Sequence, residues 1–337
     1  MRIALVGAGQ IGAAHARRLV ALDAVTELLV ADGDPDRAAA LAAISPKATH
    51  VSADDAFGAG VDGVVITANT SAHAPLLHRA LDAGVAVFTE KPIALDVPTT
   101  RAVVEHAAAR PDVPVQIGFQ RRFDAGYLAA RDAYRSGSLG FVHTVHATTY
   151  DVSPPPAAYI PTSGGLFKDC SIHDVDAIAW LTGRQAVSVW GTGSNMGADF
   201  FRDGGDVDTC NALITYDDEM TALVSATRYH GSGHDVRLEL HGSADSRFVG
   251  LDDRAPLVTA EDPAALSWTP AEPYQTYHQR FEAAYRAELA TFVDVAAGRA
   301  PSPCTPAEAL EALYVAEACG ISMREHRPVT IAEIRES

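Results

Sequence analysis

Three groups of residues carry chemistry that ordinary packing does not explain. The first is Gly7-Ala8-Gly9-Gln10-Ile11-Gly12, with Asp32 about 20 residues beyond it. The second is Glu90-Lys91-Pro92. The third is Asp169-Cys170-Ser171-Ile172-His173-Asp174-Val175-Asp176.

The glycine group follows the apolar run Ile3–Val6 and opens a helix-like stretch. That is the context a dinucleotide fingerprint requires. Gly7 permits the tight turn, Gly9 lets backbone approach a pyrophosphate, and Gly12 lets the helix pack on the strand. Gln10 and Ile11 complete the turn, and the N–H groups of the helix start face the phosphates. Asp32 ends the second apolar run. A carboxylate there accepts both ribose hydroxyls and repels a 2′-phosphate, which favours NAD over NADP. The alternative is a glycine turn with no ligand and an Asp that caps the next helix. Val64–Thr67 leads into Thr67-Ala68-Asn69-Thr70. Thr67 and Asn69 are candidate cofactor contacts; the alternative is that Asn69 and Ser71 only make the turn and cap the helix beginning near Ala72. His73 reads as structural.

Glu90-Lys91-Pro92 ends a further buried run, Val85–Thr89. A charged pair there is costly unless it is used, so Lys91 is a candidate for the reacting centre and Glu90 for pairing it or touching the ribose. The alternative is a surface turn with a salt bridge. In the third group Asp169 and His173 are spaced to share a helix face. A carboxylate one turn before an imidazole raises its basicity, and removing a proton from an alcohol needs such a base. Asp174 and Asp176 are also read as acids that favour the helix dipole. The spacing fits no standard zinc pattern, so no metal is expected.

These groups need a scaffold of strands ending in loops. Apolar runs at Ile3–Val6, Leu28–Ala31, Val64–Thr67, Val85–Thr89 and Val115–Phe119 alternate with helical stretches such as Ala13–Leu22, Ala72–Ala83 and Thr99–Ala109. This predicts an α/β domain of the Rossmann type, a doubly wound parallel sheet over residues 1–119. After Tyr127–Tyr134, Phe141–Tyr150 and the Ser153–Gly165 loop, a helix at Ser171–Leu181 precedes consecutive strands at Val187–Gly191, Asn211–Tyr216, Thr221–Tyr229 and Val236–His241. Strands without intervening helices predict an α+β domain over 120–337 with an open, mainly antiparallel sheet. Tyr277, Phe281, Tyr285, Leu289 and Phe292 form one apolar helical stripe. Thr305 before Pro306 starts a second tail helix over about Pro306–Met323.

Composition narrows the partners. Lys plus Arg number 26 against 43 Asp plus Glu, a net charge of −17. So acidic a chain gains nothing from nucleic-acid phosphates or anionic membranes. The 4 cysteines form no CxxC pair and read as reduced thiols in the cytoplasm. Neither a leader nor a membrane span is expected.

The chain resembles the Gfo/Idh/MocA oxidoreductases over essentially its whole length, and within them the inositol 2-dehydrogenase branch. Glu90-Lys91-Pro92 and the Asp169…His173 pair match the family. Gly118-Phe119-Gln120-Arg121-Arg122-Phe123-Asp124, Asp151 with Pro154-Pro155-Pro156 and Tyr159, Ser163-Gly164-Gly165-Leu166-Phe167, Ile172-His173-Asp174 and Arg280–Tyr285 match the branch. The resemblance implies NAD-dependent oxidation of a ring hydroxyl on a cyclic polyol, myo-inositol or a related inositol. His173 would be the base, Lys91 would hold the hydroxyl and lower its pKa, and Asp169 would bond a neighbouring hydroxyl. Lys91 and His173 would meet at the nicotinamide. It further implies that Arg121, Asp151, Asp176 and Tyr229 bind substrate hydroxyls, that Tyr277 and Tyr285 lie near the cofactor, and that the open sheet face serves a homodimer or homotetramer. Tyr150, Lys168, Cys170 and the insertion His230–His234 depart from the branch and leave the polyol open. Other members imply two alternatives, a sugar (pyranoside) dehydrogenase and an NAD-dependent glycosidase. A dinucleotide sensor without activity need not keep the Lys-Asp-His set.

Overall fold

The computed structural model describes residues 1–260 and 271–337. The chain divides into two compact units, Met1–Gln120 with Ala283–Glu311 and Arg121–Glu282 with Ala312–Ser337.

The first unit is built on β1 (Arg2–Val6), β2 (Glu27–Ala31), β3 (Ala48–His50), β4 (Gly63–Ile66), β5 (Ala86–Glu90) and β6 (Val115–Gly118). All pairs are parallel, in the order β3-β2-β1-β4-β5-β6. β4 is buried throughout, as expected for a strand covered on both faces. The order reverses between β1 and β4, and in such sheets ligands bind beyond the carboxyl ends at the reversal. Gly7, Asp32, Thr67 and Lys91 follow β1, β2, β4 and β5 directly. The covering helices start where their caps are. Asp34 accepts from the N–H groups of Asp36 and Arg37 ahead of Pro35–Ala42, and Asp96 accepts from Thr99 N–H ahead of Val97–Ala109.

The tail stripe is broken rather than continuous. Tyr277–Arg280 and Glu282–Ala296 are separate helices, interrupted at Phe281. Residues 120–337 therefore do not all pack together. Leu289, Phe292 and Val293 join the core of Ile3, Leu5, Val65 and Phe88, with the Phe88 and Phe292 rings 5.8 Å apart. Gln116 Nε2 donates to Glu288 O, and Ile117 N–H donates to Cys304 O. The long helix Pro306–Glu325 begins at a reciprocal cap: Glu308 N–H donates to Thr305 Oγ1 and Thr305 N–H donates to Glu308 Oε2.

The second unit contains β7 (Val142–Tyr150), β8 (Ala186–Ser194), β9 (Thr209–Tyr216), β10 (Thr221–Thr227), β11 (Asp235–Gly242), β12 (Ser246–Val249) and β13 (Val329–Thr330). The order is β12-β11-β7-β10-β9-β8-β13, antiparallel except for the parallel β7–β10 pair. Burial alternates along β7, β9, β10 and β11, so one face is covered and the other open. Helices Ala125–Arg135 and Ile172–Thr182 belong to the covered side. The open face presents Trp190, Leu213, Leu223 and Phe248 among polar side chains. Among the described residues, no helix is long and apolar enough to cross a membrane.

Candidate functional site

In the first unit the glycine turn is held from several sides. Gly7 has φ +112°, and a Cβ there would lie 2.4 Å from Ala68 N. A Cβ on Gly12 would lie 1.9 Å from Gly7 O, so both positions exclude a side chain. Beside Gly9 there is open space, the room an incoming pyrophosphate needs. Gln10 and Ile11 start the helix Gln10–Val20, whose first turn has no acidic residue to oppose phosphate. Asp32 accepts from Ala8 N–H at 2.6 Å and from Asp34 N–H at 2.8 Å. Its carboxylate is thus fixed on the glycine turn. These residues fit a bound dinucleotide.

Thr67 is used differently from the expected contact. It is buried, and its hydroxyl donates to Gly7 O at 2.7 Å, bracing the turn from behind. Asn69 precedes the helix Thr70–Ala83 but makes no side-chain cap bond. His73 is structural, as expected: its ring nitrogens face Pro92 O at 2.8 Å and Ala68 O at 2.9 Å. Burial pushes its pKa below the ordinary value, against the two carbonyls, which pull it up; a neutral ring donates to one of them and packs between the segment after Lys91 and the loop after β4.

The end of β5 is not a plain surface turn. Glu90 Oε1 meets His15 Nε2 at 2.7 Å, and Arg18 contacts His15 Nδ1 at 3.0 Å. The Tyr285 ring lies 5.5 Å from that imidazole, with the Arg18 guanidinium 4.6 Å from the Tyr285 centroid. This buried chain sets the position of Glu90 and hence of the backbone carrying Lys91. Sequence reasoning missed His15, because one histidine in a helix carries no sign of a partner 75 residues away.

In the second unit His173 stands in the first turn of the helix Ile172–Thr182. Asp169 lies just before it, in a π-helical turn over Phe167–Ser171. The expected plain α-helical face is therefore replaced by a wider turn, a feature frequent at functional sites. Asp169 accepts from Tyr159 Oη at 3.0 Å and pairs with Arg228. The same guanidinium donates to Asp151 at 2.8 Å and to Cys170 Sγ at 3.1 Å. Burial lowers the pKa of Arg228, but the charges around it outweigh burial and raise it, so it stays a cation. Burial raises the pKa of Asp151. The bond to His234 and the charge of Arg228 outweigh that and hold it below the usual carboxylate range. For Tyr159, burial and the Asp169 charge both push the phenol up, keeping it a donor. Leu166 N–H donates to Asp206, which fixes the loop before this turn.

Two expected substrate contacts are engaged elsewhere. Arg121, only 2% exposed, pairs with fully buried Asp174 and donates to Thr149 Oγ1 at 2.7 Å. Asp176 is held by Arg122 through bonds of 3.0 and 2.6 Å. Both carboxylates are buried, and anchoring the helix behind His173 is what these pairs do. Asp174 and Asp176 are thus not solvated dipole partners either. Tyr229 is half exposed and its hydroxyl accepts from Ala198 N–H at 3.0 Å. The Tyr277 ring lies tilted against His278 at 4.2 Å and 6.4 Å from the ring of buried His234. Arg228 was not singled out from sequence, and His234 only as the end of the insertion His230–His234. The available signal was a lone Arg at the end of a strand, immediately before Tyr229.

Comparison with known proteins agrees with both halves. Residues 1–119 match the model of an oxidoreductase family with an NAD-binding Rossmann fold, and residues 127–246 match the GFO/IDH/MocA C-terminal domain. The chain is 37% identical over 304 residues to myo-inositol dehydrogenase Hyg17 of Streptomyces leeuwenhoekii, covering 90% of each chain. It is 33% identical to inositol 2-dehydrogenase of Rhizobium meliloti, covering 98% of this chain and 99% of that one. Among solved structures, a myo-inositol dehydrogenase from Corynebacterium glutamicum superposes with TM-score 0.87 at 31% identity, covering 98% of both chains. A scyllo-inositol dehydrogenase from Lactobacillus casei, with NAD(H) and scyllo-inositol bound, superposes with TM-score 0.86 at 27% identity, covering 98% of this chain and 99% of that one. With the glycine turn, Asp32 and an NAD-binding Rossmann unit in place, the chain belongs to the Gfo/Idh/MocA family of NAD-dependent oxidoreductases.

Proposed function

We propose that this enzyme oxidises a ring hydroxyl of myo-inositol or a related inositol to the ketone, with Lys91, Asp169 and His173 as its catalytic set. The observation that supports this most is the carboxylate of Asp169, preset by Arg228 and Tyr159 beside the turn that carries His173. A carboxylate already held by two donors has one remaining use that suits a polyol, which is to accept a hydroxyl next to the reacting one. The names of the relatives point to the same substrate class.

In this reading Gly7, Gly9, Gln10, Ile11 and Gly12 hold the pyrophosphate of NAD, and Asp32 holds its adenosine ribose. Asn69, Glu90 and Lys91 take the nicotinamide side, where Tyr277 and Tyr285 also contribute. When bound, NAD supplies the acceptor for the hydrogen leaving the carbinol carbon. Lys91 donates to the reacting oxygen and favours its ionised form. His173 takes the hydroxyl proton. Arg228 pairs with Asp169 and aims it, and Asp151 with His234 lines the polar ground beside it.

A panel of inositols, pyranoses and aryl glycosides, run with NAD and with NADP and followed by NADH absorbance, tests this. Turnover is expected with at least one inositol, with NAD preferred because Asp32 repels the 2′-phosphate. Turnover confined to pyranoses, or leaving-group release without net NADH, would replace the inositol reading with the sugar dehydrogenase or glycosidase reading.

The open face of the second unit's sheet, with Trp190, Leu213 and Leu223 exposed, supports a homodimer or homotetramer. Sedimentation velocity returning a monomer at micromolar concentration would refute that. The four free, buried cysteines suit a cytoplasmic setting, which cell fractionation checks.

A further inference from the structure

We propose that the open face of the second unit's sheet carries a site for a zinc-class divalent cation, held by His146, Glu239 and His241. β7 and β11 run antiparallel, with His146 directly opposite Glu239 and Thr144 opposite His241. Residues two apart on a strand share a face, so Glu239 and His241 stand together along β11 and His146 reaches them from β7. One carboxylate oxygen is common to both imidazoles. Glu239 Oε2 lies 3.2 Å from His241 Nε2 and 3.5 Å from His146 Nδ1. One ligand atom from each residue lies within 4.8 Å of the others.

Zinc binds imidazole nitrogen and carboxylate oxygen at about 2.0–2.2 Å, which sets tetrahedral ligand atoms roughly 3.4 Å apart. The two separations from Glu239 Oε2 already match, and the third lies within 4.8 Å. The donor set decides the metal. Two imidazoles and one carboxylate suit zinc, nickel or copper, whereas magnesium and calcium require oxygen throughout.

The plain alternative is a pair of exposed His–Glu contacts, worth about 0–1 kcal/mol each. Two features favour a cation. Arg237 is bound through Nε to both oxygens of Asp235, at 2.9 and 3.2 Å, and reaches Glu239 only through Oε1, at 3.3 Å. That leaves Oε2 turned toward the imidazoles. The Phe248 ring stands edge-on to His241 at 5.8 Å and restricts its swing, as supporting side chains do around a metal. Within one chain the three side chains are 42%, 23% and 27% exposed, so a hydrated cation can enter before a second copy covers this face. Three protein ligands leave a tetrahedral position open to water or to a group from another molecule.

The site lies on the open face of the sheet and the helix of His173 on the covered side, so its test does not need turnover. The full chain, stripped with chelator, is titrated calorimetrically with zinc chloride, and separately with cobalt(II) while its visible spectrum is recorded. One equivalent of zinc binding at micromolar or tighter Kd is expected, with cobalt giving the strong visible bands of a tetrahedral site. Loss of an outer-shell partner alone costs 10–100-fold in affinity, so His146→Ala and His241→Ala should each weaken binding by about tenfold or more. Glu239→Gln should do the same, while His143→Ala, on the same strand outside the triad, should leave the affinity unchanged. All four changes are at partly or fully exposed positions, and thermal midpoints matching wild type will show that the variants fold. No stoichiometric zinc binding to wild type, or binding that survives both histidine substitutions, overturns the proposal.

Discussion

His173→Ala lowers the rate of NADH production by about 10²–10⁴-fold, the range for loss of a positioned general base. NADH binding, followed by fluorescence titration, should stay within about twofold of wild type, because the glycine turn and Asp32 belong to the other unit. The split between turnover and binding separates a catalytic role from a folding defect. Lys91→Ala is expected to cost a comparable factor. The double variant is the sharper measurement. If Lys91 and His173 act on the same hydroxyl, removing either disables one proton transfer, and the second removal adds little. The double loss should then be close to the larger single loss. Single losses that multiply in the double variant would assign the two residues to separate events. A His173→Ala enzyme that keeps more than half its turnover would remove the imidazole from the reaction.

The strand ends were legible because the information that marks them is local. Gly7 to Gly12, Asp32 and Glu90-Lys91 each lie at the end of a short apolar run, and the run itself announces the strand. The open sheet was legible for a similar reason, since alternation along β7, β10 and β11 survives in single-sequence form. What tertiary contact decides could not be read. Tyr285, Leu289 and Phe292 show a buried stripe, but periodicity does not say which core receives it, and Phe88 and Val65 receive it. The three residues of β3 are too few to show a period, and two of them are exposed. The spacing of Asp169 and His173 was taken at 3.6 residues per turn, while the chain winds more widely there. His15, Arg228 and Glu239 each depend on a partner distant in sequence. The arginine pair was the hardest to read. Arg121 and Arg122 lie within the branch motif Gly118–Asp124, yet they pair with Asp174 and Asp176.

That engagement predicts the largest stability effect in the second unit. Asp174→Ala leaves the Arg121 guanidinium buried without its counter-charge. Breaking a buried pair in this way costs about 3–5 kcal/mol. For a domain of this size that corresponds to a fall in Tm of roughly 6–20 °C. The loss reaches past the pair itself, because Thr149 Oγ1 donates to Asp174 at 2.8 Å and thereby ties the helix of His173 to β7. Replacing both partners with apolar residues, Arg121→Met with Asp174→Leu, removes the stranded charge and should recover most of the Tm, since such replacements are often neutral or stabilising. Turnover distinguishes anchoring from mere stability. The apolar double variant loses the directional hold of Thr149 and the carboxylate, so its kcat should stay depressed while its Tm returns. Differential scanning calorimetry together with the NADH assay reads both quantities. A drop of less than about 2 °C for Asp174→Ala would show that the charge is solvated after all. Full recovery of kcat in the double variant would show that shape alone positions the histidine.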